Sequence, residues 1–578
     1  MSICPVCNDN IQDSSARFCP SCGTPVSSKN MRKAPWIIAG AVICLVLITG
    51  VVFRDKLGLI FPFLRSGTAF AATLAPENTE LFFVIDPDMT QLKNYERIKD
   101  IYLAVPEVKE AFDDLQDNVK GDSYADIDFG QDVKPWLGSE AALIMPDAFS
   151  SGSEPEYLLA VAVKDKKKAK EFVVKLRQKE ENSGGIFKEE NYKEVLITTE
   201  DRSSMSNKKF VYALVKDHLI LSNSKALVAQ AIDKYKDKGE SLARNESYEE
   251  IMSKLPKSRS GAFYMDFDAI MGAAEKAGLE NFDQLRAYKG IGMSLSFVEE
   301  GVRIDYSVAY DRNKVSQSSG DNAKGAVGLK NATEIIPADA MAYVGISNLK
   351  QGLEDFVSSV KTQPGYRGEL SDFKRETGLD PESDILSWMD GVLAIGFLPD
   401  RSGLFGEKNA PFGIIALIGT NDLKTTANSM KTLANSLVRL GAGKNDKTYN
   451  NQEVHYLFER RTGKVVAGYG IRDNFLVIGS SIDMLEKGMG TNNDRIGRNA
   501  SFKKATAGLP SIQDGCIYVD VEEMTNSIYN SLDSYNRQEF NRSVYPYLKP
   551  VKTVSLGVEG ANGGDHFNTG AVLIRIDR

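Results

Sequence analysis

Histidine is almost missing from this chain of 578 residues; there are three, His218, His455 and His566. Cysteine is scarce and lopsided: four of six fall in the first 22 residues, Cys44 sits in an apolar run, and Cys516 alone serves everything after residue 53. A body with one cysteine has no internal disulfide, which excludes a small disulfide-built secreted domain and fits either side of a bacterial membrane. No Walker loop, no GxGxxG after a strand, no HExxH and no GxSxG elbow occurs, so the readable signs of the common catalytic classes are absent. An excess of basic charge is lacking too. The net charge is −8, and residues 1–66 carry +4 of their own, leaving −12 on the remainder. A body that acidic has no concentrated basic face for phosphates, which argues against nucleic acid as partner.

Long apolar runs are absent with one exception. Ala34 to Phe53 contains no charged residue, and Trp36 to Phe53 reads WIIAGAVICLVLITGVVF. Eighteen helical residues reach about 27 Å, close to the hydrocarbon thickness of a bilayer. Arg32 and Lys33 close one end, and Arg54, Asp55 and Lys56 the other. Pro35 suits a first helical turn and Trp36 a membrane–water interface. The alternatives are a buried core helix or a signal peptide. A folded-looking head precedes the run, the run is long for a signal, and the nearest small-residue cleavage candidate, Ala69-Phe70-Ala71, lies well beyond it. Residues 34–54 are therefore expected to form one transmembrane helix that meets the lipid bilayer through Trp36 to Phe53. A juxtamembrane linker follows at 55–69.

Ahead of the span stands one compact motif. Cys4-Pro5-Val6-Cys7 and Cys19-Pro20-Ser21-Cys22-Gly23 are two CxxC pairs eleven residues apart. Each short turn can supply two thiolates, and the ribbon between them can fold back to complete a tetrahedral site. Residues 1–28 are expected to be a zinc ribbon whose metal ligands are Cys4, Cys7, Cys19 and Cys22. A redox-active dithiol pair is the alternative, and ribbon spacing favours zinc. Four cysteine ligands leave no open position, so the Zn2+ would be structural and would supply the folding energy of so short a segment. Basic residues flank the span too evenly for the positive-inside rule, four against three. An unoxidised thiolate site belongs in a reducing compartment, so the N-terminus is expected in the cytoplasm and the large C-terminal body outside the plasma (inner) membrane.

The body repeats itself. Ala75-Pro76 through Val84-Ile85-Asp86 returns as Ile336-Pro337 through Gly345-Ile346-Ser347, and the Trp136 segment returns around Trp388. Asn245-x-Ser247-Tyr248, Leu255-Pro256 and Gly261 to Asp266 return as Asn499-x-Ser501-Phe502, Leu509-Pro510 and Gly515 to Asp520. Two tandem copies are expected, at 70–312 and 331–578, joined by a polar linker at 313–330. Several strands follow one another without a helix between them, so the fold class is α+β with an antiparallel sheet.

What the copies share shapes a fold. Trp136 and Trp388 suit core positions before a strand, and Cys516 suits a small core position. None of the three histidines has a counterpart in the other copy, and each reads as a surface or turn residue. Asp266 and Asp520 end equivalent strands. They suit helix caps, or a paired-carboxylate site between the copies.

The ribbon–anchor–body layout, the Leu74-Ala-Pro-Glu-Asn-Thr79 entry and the strand it leads into at Leu81 resemble the uncharacterised bacterial family known as domain of unknown function 3352. That resemblance implies an envelope location, no assigned activity and no functional residues to carry over; the ribbon is an addition to its pattern. The chain thus reads as a non-enzymatic, membrane-anchored envelope protein that binds, senses or scaffolds a protein or envelope ligand. The rival is an extracytoplasmic enzyme centred on Asp266 and Asp520, and a third option is a cytoplasmic scaffold. Ligand and oligomeric state are not written in the sequence.

Overall fold

A computed structural model describes Ser2–Ile3, Asn10–Ile11 and residues 69–578, apart from 88–92, 112–127, 150–154, 183, 202–209, 269–270, 273–286, 312–321, 362–365, 401–411, 513 and 561–565. The chain divides into two units, Met1–Asp55 and Lys56–Arg578. In the first, β1 (Ser2–Ile3) pairs antiparallel with β2 (Asn10–Ile11), Ser2 facing Ile11. Cys4, Cys7, Cys19, Cys22 and the expected transmembrane helix at 34–54 lie outside the described residues. Among the described residues no helix is long and apolar enough to cross a membrane.

The second unit is α+β, and its strands are all antiparallel. Its first half supplies β3 (Leu81–Ile85), β4 (Leu137–Met145), β5 (Leu158–Val163), β6 (Ile186–Tyr192), β7 (Val195–Asp201), β8 (Val211–Val215), β9 (His218–Ser222), β10 (Gly261–Asp266), β11 (Tyr288–Val298) and β12 (Gly301–Tyr310). The second supplies β13 (Ala342–Ile346), β14 (Met389–Pro399), β15 (Phe412–Thr420), β16 (Ala442–Tyr449), β17 (Gln452–Glu459), β18 (Val465–Arg472), β19 (Phe475–Gly479), β20 (Gly515–Asp520), β21 (Val551–Glu559) and β22 (Phe567–Ile576). From outside inward the first half is ordered β6-β7-β8-β9-β5-β4-β3-β10-β11-β12, and the second β16-β17-β18-β19-β15-β14-β13-β20-β21-β22. The pairing order is the same in both.

Short-range chemistry explains the repetition. Strand alternation sorts side chains between two faces: Leu158 and Ala160 enter one core while Leu159, Val161 and Val163 enter another. The helices of the first half are α1 (Phe70–Leu74), α2 (Lys93–Leu103), α3 (Lys166–Asn182), α4 (Lys225–Asp237) and α5 (Glu246–Ser253). Residues of α1, α4 and α5 cover one face, and α3 covers the other. The second half begins with α6 (Asn322–Thr333), α7 (Leu349–Val360), α8 (Tyr366–Thr377), α9 (Leu423–Arg439), α10 (Ile482–Met489), α11 (Ala500–Thr506) and α12 (Val521–Ser531). Caps recur at matching places: Ser224 accepts from Leu227 N and Ser481 from Met484 N. Left-handed turn residues recur as well, Lys193-Glu194 against Asn450-Asn451, and Lys216 against Asp473. Each of the first two pairs makes a two-residue hairpin turn, which needs positive φ at both positions.

One expectation needs correction. The polar stretch 313–330 is not linker throughout, because α6 starts at Asn322 and Leu329 is buried. The two halves also share one sheet. The innermost strands β12 and β22 pair antiparallel from Gly301↔Arg575 to Ala309↔Phe567, so twenty strands form one sheet. Following the register through β10 and β11 makes Ile304 equivalent to Gly570, Asp305 to Ala571 and Tyr306 to Val572. The facing pairs are Ile304↔Val572, Asp305↔Ala571 and Tyr306↔Gly570. The seam is therefore a pseudo-twofold centred on Asp305 and Ala571. Gly570 is required there, since a Cβ would lie 2.4 Å from the Tyr306 hydroxyl and 2.5 Å from the Gly557 carbonyl.

Candidate functional site

The tryptophans are structural anchors in both halves. Trp136 and Trp388 are each 3% exposed, and each indole Nε1–H donates to a carbonyl four residues back, Asp132 O and Asp384 O, at 2.8 Å. Each lies after a tight helical turn closed reciprocally. Asp128 accepts from Gln131 N while its own N–H donates to Asp132 Oδ2 at 2.9 Å. Asp380 accepts from Glu382 N and Ser383 N while its N–H donates to Asp384 Oδ2 at 2.8 Å. The pattern Asp-x3-Asp-x3-Trp at 128–136 and 380–388 is legible in the sequence, although only its tryptophans draw the eye.

The carboxylates proposed as a pair do not meet. Five inter-strand steps separate β10 from β20, with β11, β12, β22 and β21 between them. That is roughly 24 Å along the sheet at 4.8 Å per step. Asp520 caps α12, accepting from Glu523 N at 3.1 Å, and takes the Tyr518 hydroxyl at 3.2 Å. Asp266 accepts from Asp268 N at 2.9 Å. Both do local work at strand ends, and the enzyme alternative loses the constellation it was built on. Cys516 is 2% exposed inside an apolar core, and burial pushes its thiol up to about 12, the opposite of an activated nucleophile.

Two of the three histidines, His218 and His455, depart from the expectation of surface or turn positions. His218 opens β9 and is buried; an imidazole nitrogen lies 3.6 Å from Glu140 Oε1, and its ring is 4.6 Å from that of Phe70. Glu140 in turn accepts from Phe70 N and Ala71 N, fixing the start of α1. His566 reaches across the seam, with Nε2 3.1 Å from Glu250 Oε2. His455 lies within β17, and it alone gathers a cluster.

That cluster is built by register. The turn Asn450-Asn451 joins β16 to β17 and sets Asp446 opposite His455; β18 sets Tyr469 opposite His455 on its other side. Directly opposed residues share a face, as do residues two apart on a strand, so Glu453 and Lys444 join them. His455 Nδ1 lies 2.7 Å from Asp446 Oδ1 and Nε2 lies 3.9 Å from Glu453 Oε1. Lys444 Nζ lies 3.2 Å from Asp446 Oδ1. One ligand-type atom from each of Asp446, Glu453 and His455 can be chosen so that all fall within 4.8 Å of one another. Burial raises the Asp446 carboxyl, but hydrogen bonds to His455 and Lys444 outweigh it and hold the group below its ordinary 3.8. Tyr469 stacks on His455 with ring centres 4.6 Å apart, and its buried hydroxyl has no hydrogen-bond partner among the described residues. Burial first, then the charges of Asp446 and Glu453, push that phenol up to about 12. Counting outward from the two-residue turn would have found the Asp446–His455 pair; the apparent isolation of each histidine in the sequence hid it.

The sequence model of a family described as Protein of unknown function (DUF3352) matches residues 37–573. The chain belongs to this family. The DUF3352 match begins inside the charge-free span and leaves the cysteine-rich head outside it. No curated protein matches the chain. Two solved structures are similar to it. "Structure of crystal form IV of TP0453" is 9% identical with a TM-score of 0.24, covering 41% of this chain and 79% of that one. "Structure of crystal form III of TP0453" is also 9% identical at a TM-score of 0.24, covering 46% and 87%. Likeness at that score carries no argument about this chain.

Proposed function

We propose that this DUF3352 chain is a single-pass, membrane-anchored envelope protein whose body, two copies of one unit, is a binding, sensing or scaffold module rather than an enzyme. The observation that carries it is the charge-free run from Ala34 to Phe53, set between a cysteine-rich head and the large body. The run has the length of a bilayer core, and the family match takes it in from residue 37. The head is a structural Zn2+ ribbon held by Cys4, Cys7, Cys19 and Cys22 and lies in the cytoplasm; the short β1–β2 pairing, which brackets Cys4 and Cys7 in sequence, supports this reading. The body lies outside the membrane and meets a protein or other envelope ligand. The separation of Asp266 and Asp520, each used at the end of its own strand, supports a non-catalytic body.

Protease shaving of intact cells, or of spheroplasts where an outer membrane exists, tests the topology with an epitope at each terminus. Loss of the C-terminal epitope with survival of the N-terminal one is the expected result. Protection of both until lysis would put the body in the cytoplasm and overturn the proposal.

A further inference from the structure

We propose that the outer hairpin of the second half, β16–β17, is a binding site for one divalent transition-metal ion, held by His455, Asp446 and Glu453. One imidazole nitrogen and two carboxylates suit such an ion, and they already lie within 4.8 Å of one another. Ligands about 2.1 Å from a common metal stand some 3–4 Å apart, so rotation of exposed side chains closes the site without moving the backbone. Asp446 and Glu453 are open to solvent, which leaves water to complete the coordination.

Two further observations point to a cation. The first lies beneath the cluster. Tyr469 is 5% exposed, packs on the His455 ring, and has a buried hydroxyl in the field of Asp446 and Glu453 without a partner among the described residues. A donor so placed suits a carboxylate that ligates a metal, the outer-shell support that metal sites use.

The second comes from the equivalent place in the first half. The two segments align without gaps, so Glu189 stands for Asp446, Thr198 for His455, Leu196 for Glu453 and Tyr212 for Tyr469. There α3 supplies a permanent cation: Arg177 pairs with Glu189 at 2.5 Å, and Thr198 and Arg177 counter part of the upward push that burial gives the Tyr212 phenol. On α9 the position of Arg177 is taken by Ala434, which is buried. At these aligned positions the second half therefore has one more carboxylate, an added imidazole and no guanidinium. Its neighbouring cation is Lys444, whose flexible ammonium contacts Asp446 and competes with the metal. A bound ion would tie β16, which among the described residues pairs with β17 alone, to its neighbour.

The test uses the full chain in detergent with Mn2+ as probe, because oxygen and imidazole ligands take Mn2+ while the four head cysteines favour softer ions. The electron paramagnetic resonance signal of free Mn2+ reports how much remains unbound. One saturable Mn2+ per chain is expected. His455→Gln, Asp446→Asn and Glu453→Gln should each weaken binding at least tenfold, and Lys444→Gln should tighten it several-fold, with thermal unfolding of every variant confirming the fold. No saturable binding up to millimolar Mn2+, or binding indifferent to His455→Gln and Asp446→Asn, would overturn the site. Weaker binding in Lys444→Gln would also overturn it, since the cluster would then be a salt-bridged staple needing its lysine.

Discussion

The two outer hairpins, β6–β7 and β16–β17, share a backbone and differ in nearly every charged side chain. Both use a two-residue left-handed turn, both place a tyrosine of the next strand beneath the centre of the second strand, and both lie under a 17-residue helix. Yet one carries Arg177 against Glu189, and the other His455 between Asp446 and Glu453. Inward, the halves converge again on Asp-x3-Asp-x3-Trp, the Ser224/Ser481 caps and the Asn245/Asn499 caps. Features that satisfy buried backbone groups are held in both halves, because an unpaired buried group costs about 1–3 kcal/mol. Exposed faces carry no such penalty, and there the halves have diverged.

That contrast can be broken most severely at the tryptophans. Trp136→Ala and Trp388→Ala should each cost about 3–5 kcal/mol in denaturant unfolding. The two losses should be similar, because each indole fills a buried site and donates the same hydrogen bond. A loss under about 1 kcal/mol at either site would end the equivalence.

The seam comes next. Gly570→Val should cost about 1–3 kcal/mol through overpacking against Tyr306. Adding Tyr306→Ala should recover part of that loss and not all of it, since the Gly557 carbonyl also crowds the new Cβ. Indifference to Gly570→Val would mean that β12 and β22 do not pair as described.

Asn245→Ala and Asn499→Ala sharpen the comparison at about 1 kcal/mol each. Each side chain caps its helix and also donates from Nδ2 to the loop entering β3 or β13, at Glu77 O or Ala338 O. Thermal or denaturant unfolding should show equal losses within about 0.5 kcal/mol, additive in the double variant.

The smallest effect separates the halves by pH. Asp132 is held below its ordinary 3.8, first by its hydrogen bond from Lys175 and then by a backbone hydrogen bond. A depressed carboxylate contributes stability that is present above its unfolded pKa and lost as pH falls through its folded one. Lys175→Ala should therefore flatten the fall in stability below about pH 4. The second half has Thr432 at the equivalent place, and Thr432→Ala should leave the acid slope unchanged.

Much of this architecture was legible in advance. Val195–Thr199 and Ala262–Met265 read as strands from their apolar content and are extended by a residue or two, whereas Phe210–Val215 loses Phe210 and starts at Val211. β6 was not legible: Ile186 to Tyr192 is almost wholly exposed and rich in Lys and Glu, as befits an edge strand that discourages further pairing. His218 was misjudged for the opposite reason, since a polar residue on a buried strand leaves no apolar period to read.

The sequence by itself determined what a few neighbouring residues can enforce: strand and helix identity through side-chain period, helix starts through Ser, Asp and Asn caps, and hairpin register through two-residue turns. It also determined the single charge-free run and the two CxxC pairs. Tertiary structure alone decided which strand edges met. Nothing local marks β12 and β22 as partners, because pairing across hundreds of residues depends on which apolar faces are buried together. That one pairing turned the two halves into a single twenty-stranded sheet and placed Asp266 far from Asp520. Assembly of β16, β17 and β18 likewise stacked Asp446, His455 and Tyr469 into one row, joining residues that sequence distance had kept apart.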